Sequence, residues 1–230
     1  MNTPFFIRNY THKTAQGEQR TDRRNSKRMV IYCIFVNQIA LLLNRIMSHP
    51  LDQFKFCPKC GSTDFIINNE KSKKCNHCGF IYYFNSSAAT VAIILNQKEE
   101  LLVARRAQEP AKGTFDLPGG FVDMYETGEE AIMREVKEET QLIVQEAIYQ
   151  FSIPNLYNYS DFMVHTLDLF YLCKIDDFSG IKAQDDVASL QFIPFNNLQA
   201  SDFGLPSIQQ GINKLKQLKS KDNASFSRQD

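Results

Sequence analysis

The sequence predicts an α/β protein in two parts, with a small zinc ribbon over residues 54–85 followed by a larger mixed-sheet domain over residues 86–219. The ribbon is predicted by two pairs of cysteines, each pair separated by two residues. The larger domain is predicted by apolar, strand-like runs that alternate with a capped helix and a second, amphipathic helix. At 230 residues, the chain has the length of one sizeable domain plus a small one.

Charge and cysteine content narrow the function classes. Lys+Arg and Asp+Glu both number 26, so no overall basic field would attract nucleic acid, and we expect a small-molecule partner instead. Four of the six cysteines stand in the two close pairs, which indicates a metal rather than disulfides and therefore a reducing cytoplasm. The other two, Cys33 and Cys173, are interpreted as buried small apolar residues.

Residues 1–50 are predicted to be a disordered or unused extension. Residues 1–28 are polar and basic without apolar periodicity, which is typical of disorder. The apolar run Met29–Leu43 is shorter than the about 20 residues that a membrane-spanning helix needs. Translation could instead begin at Met47, and the alternatives are an amphipathic helix resting on the protein or a membrane anchor. We therefore expect no membrane partner.

The predicted ribbon carries its ligands on two short loops: Cys57, Cys60, Cys75 and Cys78. Two C-x2-C pairs at this separation fit a tetrahedral, four-thiolate Zn²⁺ site. A unit this small buries too little surface to fold alone, so the metal must supply folding energy. A closed site has no open position for catalysis, which favours a structural role over redox chemistry or nucleic-acid binding. Residues 64–67 and 80–84 are predicted strands.

The larger domain is predicted to open with a strand at Ala88–Leu95, and Leu101–Arg105 is predicted to pair back on it as a hairpin. Arg105 and Arg106 then stand at a strand end, where a guanidinium group could hold a phosphate. The alternative is a surface pair of arginines. Phe115 begins the run that leads into the Gly119-Gly120 turn.

Three strands and a helix are predicted in the second half of the chain. The strands cover residues 142–153, 165–175 and 190–194, and with the first hairpin they would form one mixed sheet. A helix from Pro206 to Leu218 would pack over one face of that sheet. Residues 220–230 are predicted to be a flexible tail.

The helix near the middle of the chain carries the strongest chemical signal. Thr127 followed by Glu130 is a capping box, so a helix should begin there and end near Thr140. Three carboxylates occupy positions i, i+3 and i+4 on one face of it: Glu135, Glu138 and Glu139. Like charges this close repel one another unless a cation lies in front of them, and Mg²⁺ commonly shares its oxygen ligands with substrate phosphates. The alternative is a solvated acidic helix without a metal.

Two further features surround these carboxylates. Arg134 and Glu126 stand on either side of the cap, where an ion pair could hold the loop against the helix. The Gly119-Gly120 turn lets the backbone approach a ligand closely, and the Gly120 carbonyl would be one more hard oxygen donor.

At these residues the chain resembles the Nudix hydrolase family, whose box reads G-x5-E-x7-R-E-U-x-E-E-x-G-U, with U aliphatic. The matching positions are Gly120, Glu126, Arg134, Glu135, Val136, Glu138, Glu139 and Leu142. One position departs, because Gln141 stands where the family has a glycine that normally adopts the left-handed C-cap conformation. A residue with a side chain costs roughly 1 kcal/mol there. The resemblance implies the Nudix α/β/α sandwich and a homodimer.

The resemblance also implies a chemistry. Nudix enzymes hydrolyse the diphosphate of a nucleoside diphosphate linked to another group, and Mg²⁺ or Mn²⁺ would neutralise charge and activate a water. The implied ligands are Glu135, Glu138, Glu139 and the Gly120 carbonyl, with Glu126 and Arg134 as supports. A further acid outside the box often serves as base or ligand. Asp185 and Asp186 precede the last strand and are the candidates, with a polar turn as the alternative.

The order of zinc ribbon and Nudix domain resembles the NADH pyrophosphatase branch over roughly residues 54–200. That branch carries a Ser-Gln-Pro-Trp-Pro-Phe-Pro signature, which is missing from the corresponding residues 152–160, so NADH specificity does not follow. In this region Tyr157 and Tyr159 could stack on a base, and His165 could reach a phosphate or sugar. The alternative is that all three are packing or rim residues.

These observations lead to one main hypothesis. The protein is predicted to be a Mg²⁺- or Mn²⁺-dependent pyrophosphohydrolase that acts on ADP-ribose, NAD(H) or a related dinucleotide or nucleotide sugar. One alternative is the cleansing of modified nucleoside triphosphates, which would release pyrophosphate. Another is a non-catalytic module that senses a nucleotide.

Overall fold

The structure is a computed structural model that describes residues 49–226, with all side chains in that range except those of Tyr157 and residues 221–226. The predictions made for the apolar run Met29–Leu43, for a start at Met47 and for Cys33 lie outside the described residues, as do residues 227–230. Within the described part, no helix combines the length and apolar character needed to cross a bilayer.

The ribbon is a three-stranded antiparallel sheet in the order β1-β2-β3. Its strands are β1 (Phe65–Asn69), β2 (Ser72–Cys75) and β3 (Ile81–Tyr83). The sequence predicted the first and third strands but missed β2, because Ser72 and Lys73 are polar. Both are nevertheless buried, and Lys73 Nζ donates a hydrogen bond to the Phe54 carbonyl at 2.7 Å.

The larger domain contains six strands and two helices. The strands are β4 (Ser87–Ile93), β5 (Glu100–Arg106), β6 (Phe115–Asp116), β7 (Glu146–Tyr159), β8 (Phe162–Lys174) and β9 (Val187–Pro194). The helices are α1 (Gly128–Thr140) and α2 (Pro206–Phe226), with short 3₁₀ turns at Phe195–Asn197 and Ala200–Asp202. Each element predicted for this domain is therefore present, although several boundaries differ.

The strands form two sheets rather than the single mixed sheet that was expected. One sheet has the order β4-β8-β7, with β4 parallel and β7 antiparallel to β8. The other has the antiparallel order β6-β5-β9. The predicted β4–β5 hairpin is confirmed only at its turn, where Leu95, just beyond β4, forms an isolated antiparallel bridge with Leu101 and the Leu102 N–H donates to the Ile94 carbonyl at 2.9 Å. The strands β4 and β5 themselves belong to different sheets. β5 pairs instead along β9, a partner distant in sequence that a local pattern cannot reveal.

The two sheets form the middle layer of an α/β/α sandwich, as predicted. Alternate residues of a strand face opposite sides, and both sides are buried here. Val91 and Ile93 of β4 join the core that includes Ile208 of α2. Ala92 of β4 joins the core that includes Ile132 of α1. One helix therefore covers each face of the middle layer.

Both ends of α1 lie where the capping residues predict them. Thr127 Oγ1 accepts a hydrogen bond from the Glu130 N–H at 3.2 Å, and Glu130 Oε2 accepts one from the Thr127 N–H at 2.8 Å. The helix ends at Thr140, and Gln141 adopts the left-handed conformation, with φ of 62°. By contrast, α2 continues beyond Leu218 to Phe226, so residues 220–226 are helical where we expected a flexible tail. Gly and Pro, which would end a helix, are absent after Gly211 in this segment.

Candidate active site and four-cysteine centre

Two carboxylates of α1 lie directly beneath the Gly119-Gly120 turn. Glu139 is only 8% exposed, and its Oε2 accepts a hydrogen bond from the Gly119 N–H at 3.0 Å. Glu135 lies against Gly120 so closely that a Cβ there would come within 2.5 Å of Glu135 Oε1. A Cβ on Gly119 would lie 2.1 Å from the Thr90 carbonyl oxygen. A side chain at position 119 would therefore collide with the backbone of β4, whereas one at position 120 would require the Glu135 carboxylate to move.

The turn is also hydrogen bonded along β4. The Gly120 carbonyl accepts from the Thr90 N–H at 2.8 Å, and the Pro118 carbonyl accepts from the Ala92 N–H at 2.7 Å. The Thr90 hydroxyl also donates to the Gly120 carbonyl, at 3.4 Å. A carbonyl oxygen has two lone pairs, so the predicted ligand role of Gly120 requires this longer hydrogen bond to give way.

Arg134 connects the loop before α1 to the carboxylates on it. Its Nε and Nη2 donate to the two carboxylate oxygens of Glu126 at 2.8 and 2.9 Å, which is the predicted ion pair in bidentate form. Its Nη1 donates to Glu135 Oε1 at 2.8 Å and to Glu138 Oε2 at 3.1 Å. These bonds to Arg134 lower the pKa of Glu126 to about 2.

The three carboxylates of α1 lie at graded depths. The side chain of Glu138 is 50% exposed, that of Glu135 is 14% exposed, and Glu139 is buried. Within residues 49–226, the four ribbon cysteines are the only group of three or more Cys, His, Asp or Glu residues whose ligand atoms all lie within 4.8 Å of one another. The carboxylates are thus gathered on one side of the turn without forming a closed set.

The electrostatics of this site favour a cation. Burial raises the pKa of Glu139 to about 8, and the nearby charges of Glu135, Asp116 and Asp185 raise it further against the hydrogen bond from Gly119. Burial likewise raises the pKa of Glu135. A positive ion in front of these groups would reverse both shifts. The donor set, made of hard oxygens only, suits Mg²⁺ or Mn²⁺.

The loop before β9 brings Asp185 to this site. The Gln184 N–H donates to the Glu139 carbonyl at 3.0 Å, and Gln141 Nε2 donates to Gln184 Oε1 at 3.0 Å. Gln141, the residue that departs from the family pattern, therefore ties α1 to this loop. Asp185 is exposed, with φ of 52°. Asp186 lines the neighbouring cavity.

A cavity of about 370 Å³ opens beside the turn. Gly119, Gly120 and Glu139 contribute to its lining, and so does Arg106. Arg106 Nη1 forms an ion pair with Asp116 at 2.5 Å, and its Nε donates to the Pro110 carbonyl at 2.7 Å. Of the two predicted arginines, Arg106 is therefore the one at the cavity.

Arg105 and Phe115 lie outside the cavity lining. The Arg105 guanidinium group stacks on the Phe115 ring at 4.6 Å and donates to the Gly113 carbonyl at 2.5 Å. Phe115 in turn packs against Phe203, with 6.2 Å between ring centroids. The cause is strand alternation, because adjacent residues of β5 face opposite sides.

The predicted base- and sugar-binding residues do not all lie at the cavity either. Tyr159 lines the cavity and is 60% exposed, whereas the side chain of Tyr157 is outside the described part of the protein. His165 lies outside the lining and packs edge to face on Phe84, with 5.7 Å between ring centroids. Phe84 also packs on Phe162, so His165 belongs to the contact between the ribbon and the larger domain.

Besides Thr90 of β4, four buried polar residues of the cavity were not singled out from the sequence: Asp116, Asn155, Thr166 and Asp168. Asp116 follows Phe115 directly, and alternation along that strand could have indicated it. The other three lie on β7 and β8, where only the pairing register shows that they share a wall.

The four cysteines converge as predicted. The Sγ atoms of Cys57 and Cys78 are 3.8 Å apart, and those of Cys60 and Cys75 are 3.6 Å apart. Burial opposes ionisation of Cys75, but hydrogen bonds from the Cys78 and His77 backbones outweigh it and lower its pKa to about 6. The pKa of Cys60, which lies beside Cys75, is raised instead, to about 12. Four sulfur atoms at this spacing fit tetrahedral Zn²⁺. Cys173 is buried apart from this cluster, as expected.

Fold and site together define an α/β/α protein in which a capped helix presents carboxylates beside a cavity, an arrangement suited to a divalent cation and phosphates. The sequence model of the NUDIX domain matches residues 85–211. The chain belongs to the NUDIX family.

Relatives within the family carry two names. The chain is 38% identical to an ADP-ribose pyrophosphatase of Methanocaldococcus jannaschii over 114 residues, which cover 48% of this chain and 64% of that protein. It is 29% identical to the NAD-capped RNA hydrolase NudC of Vibrio parahaemolyticus over 124 residues, covering 52% and 46%. It is 33% identical to the NudC of Haemophilus influenzae strain PittGG over 110 residues, covering 47% and 41%. The chain thus spans less than two thirds of each relative's length.

Solved structures support the fold. A NUDIX hydrolase from Nitrosomonas europaea superposes with a TM-score of 0.54 at 21% identity, covering 68% of this chain and 86% of that one. At this identity the similarity concerns the fold alone.

Proposed function

We propose that the protein is a Mg²⁺- or Mn²⁺-dependent hydrolase that cleaves the diphosphate of a nucleoside diphosphate linked to another group. The observation that carries this proposal is the position of Glu139, which is buried under the Gly119 N–H at the wall of the cavity. Among the described residues Glu139 forms no salt bridge, and Arg134 pairs instead with its neighbour Glu135. A divalent ion would complete this arrangement.

The residues that would hold the ion are Glu135 and Glu139, with Glu138 and the Gly120 carbonyl as further donors. When bound, the ion supplies neutralisation of the diphosphate charge and a more acidic water. Arg134 holds Glu135 and Glu138 in place through its hydrogen bonds, and Glu126 fixes Arg134. Asp185 would take a proton from the attacking water, because the loop that carries it is hydrogen bonded to the Glu139 carbonyl through the Gln184 N–H.

ADP-ribose and NAD(H) are the first substrates to test. The relatives support this choice, since one is named an ADP-ribose pyrophosphatase and others are named NAD-capped RNA hydrolases. We infer a small-molecule nucleotide as the partner, because formal charges balance over the chain. A structural Zn²⁺ on the four cysteines, a reducing cytoplasmic location and a homodimer complete the proposal.

The test is a substrate panel assayed with Mg²⁺ and with Mn²⁺: ADP-ribose, NAD⁺, NADH, NAD-capped RNA and oxidised nucleoside triphosphates. Chromatography should show two monophosphates from ADP-ribose or a dinucleotide. Glu139→Gln should abolish that release, whereas Glu146→Gln, which changes an exposed glutamate paired with Lys174, should leave it intact. Pyrophosphate release from the triphosphates alone would favour the cleansing function. Binding without turnover of any compound would favour a sensing module.

A further inference from the structure

The sheet face that packs under α2 changes character where it enters the cavity. On β7 and β8, Ile153 and Phe170 belong to the apolar core. Further along the same strands come Asn155, Thr166 and Asp168, which line the cavity. Asn155 is paired with Thr166 across the strands, and Asp168 stands two residues from Thr166, so the three side chains share one face.

These three polar residues are as buried as the core itself. Asn155 is 7% exposed, Thr166 is 2% exposed and Asp168 is 5% exposed. Thr166 Oγ1 donates a hydrogen bond to Asp168 Oδ1 at 2.5 Å. Asn155 Oδ1 is buried and has no hydrogen-bond partner among the described side chains. Buried polar atoms are nearly always satisfied, so this acceptor requires a donor from outside the protein.

A second buried side-chain oxygen without a hydrogen-bond partner differs from Asn155 Oδ1 in its position relative to the cavity. Ser207 Oγ is also unsatisfied, but Ser207 does not line the cavity, whereas Asn155 does. The cavity that Asn155 lines also reaches Glu139 and Gly119. A ligand bound to the carboxylate site can therefore extend to Asn155.

The rest of the lining indicates what kind of group fits there. Charged side chains such as Arg106 and Glu139 line the part that suits phosphates, while Ala89, Val164, Leu205 and Ile208 contribute apolar surface beside the polar trio. A planar heterocycle with one polar edge matches the trio and the apolar surface together, whereas a sugar carries hydroxyl groups all around its ring. The wall offers the carbonyl oxygen of Asn155 and the carboxylate of Asp168, which are both acceptors. The polar edge should therefore present N–H donors.

We propose that Asn155, on the same wall as Asp168, is a specificity-determining residue that accepts a hydrogen bond from the exocyclic amino group of an adenine base. An amide of this kind can also donate to an adjacent ring nitrogen, the bidentate pairing that Asn makes with adenine elsewhere. This inference rests on the proposed function for the nucleotide itself. It adds which base the site prefers and which residue reads it.

The test replaces one functional group of the base. Hypoxanthine carries a carbonyl oxygen where adenine carries the amino group, so an acceptor would face Asn155 Oδ1. The kcat/KM for ADP-ribose should exceed that for its hypoxanthine counterpart by about tenfold or more, since a site built to hydrogen-bond a group rejects an analogue without it. Asn155→Ala should bring this ratio close to one. Because both substrates are measured on the same preparation, partial unfolding of the variant cancels in the ratio.

Asn158→Ala is the matched control, because Asn158 is exposed on the same strand and does not line the cavity. It should keep the ratio of the unmodified protein. An Asn155→Ala variant with an unchanged ratio would overturn the proposal and would mean that a bound water satisfies this side chain.

Binding of AMP and IMP, measured by calorimetry, separates this inference from the proposed function. AMP should bind about tenfold or more tightly than IMP, and Asn155→Ala should remove the difference. If that holds while ADP-ribose stays intact, the base subsite stands and the hydrolase proposal fails. If ADP-ribose is cleaved but AMP and IMP bind equally, or AMP does not bind, the hydrolase stands and the subsite is wrong.

Discussion

The two metal-ligand clusters of this protein are built in opposite ways. In the ribbon, four Sγ atoms lie within 4.8 Å of one another before any ion is considered. On α1, the carboxylates are held at different depths, with Glu139 fixed by the Gly119 N–H and Glu138 half exposed beside Arg134. One cluster is a finished coordination shell, and the other is an incomplete one.

This difference would suit two kinds of metal site. A closed thiolate shell leaves no position for a substrate, so an ion bound there would only stabilise the fold. An open carboxylate set leaves positions for water and phosphate oxygens, so an ion bound there would be able to take part in a reaction.

The sharpest test of the closed cluster is Cys75→Ser. Structural Zn²⁺ contributes apparent binding free energies of about 10–16 kcal/mol, and the buried ribbon core contains little besides Cys57, Phe65 and Cys75. The variant should lose its zinc, and the amides of β1, β2 and β3 should exchange rapidly, while those of α1 stay protected. Metal analysis and hydrogen exchange measure both.

Cys173→Ala is the matched control, since Cys173 is a buried thiol outside the cluster. It should retain one zinc per chain. If the ribbon amides of Cys75→Ser stayed protected from exchange without zinc, the apolar contacts would be sufficient to fold the ribbon. The closed cluster would then not be a fold-stabilising metal site.

In the open cluster, the loss of activity on substitution should increase with the burial of the glutamate that is replaced. Glu139→Gln should lower kcat/KM by at least about 100-fold, because it removes a buried, fixed oxygen from the charge-stabilising site. Glu138→Gln should lower it less, since the Glu138 side chain is half exposed. Steady-state kinetics at saturating Mg²⁺ would establish the order. Equal losses in the two variants would mean that both glutamates act as one closed shell.

Two glutamates of the open site should give opposite pH dependence of stability without added Mg²⁺ or Mn²⁺. Arg134 lowers the pKa of Glu126 from 4.5 to about 2, so Glu126 stabilises the folded protein above pH 4.5 and this contribution is lost as the pH falls towards 2. Burial raises the pKa of Glu139 from 4.5 to about 8, so its neutral form is favoured on folding and stability is lost as the pH rises from 4.5 to 8.

Urea unfolding of glutamine variants over this pH range measures both effects. Relative to the unmodified protein, Glu126→Gln should be less stable at neutral pH, and the gap should close in acid. Glu139→Gln should become the more stable protein as the pH approaches 8, and added Mg²⁺ should reduce its advantage. A constant difference between pH 5 and pH 8 would contradict the buried position of Glu139.

Local sequence was sufficient to predict α1 and the residues that make up both clusters. The capping box of Thr127 and Glu130, the spacing of the carboxylates and the paired cysteines are short-range patterns whose physical meaning does not depend on distant partners. The ends of the helix could therefore be predicted, and its candidate ligands named, before the tertiary structure was considered.

Long-range pairing explains what the sequence could not provide. β5 pairs with β9 rather than along its neighbour β4, and a local pattern does not show which of its two faces meets the cavity, where Arg106 lies and Arg105 does not. Asn155 and Thr166 resemble exposed strand positions until the register of β7 and β8 places them together in a buried wall. Polar residues inside a strand carry no local sign of which face they occupy.

The smallest predicted effect concerns the loops that hold the two clusters. The ribbon turns place glycines at positive φ, with Gly61 and Gly79 both at 74°. The loop before α1 instead places Tyr125 at φ of 71°, although its side chain is fully exposed. A side chain in this conformation costs about 1–2 kcal/mol, and the larger unfolded-state entropy of glycine offsets about 0.4–1 kcal/mol of any relief. Tyr125→Gly should therefore stabilise the protein by about 0.5–1 kcal/mol.

Thermal unfolding should show this gain as a rise in Tm of a few degrees. Tyr125→Ala is the control, because it removes the exposed ring and keeps the backbone strain, so its Tm should stay near that of the unmodified protein. If the alanine variant gained as much as the glycine variant, the ring rather than the backbone would be the source of the strain. The loops of the closed and open clusters would then be equally relaxed, and the contrast between them would be confined to their ligands.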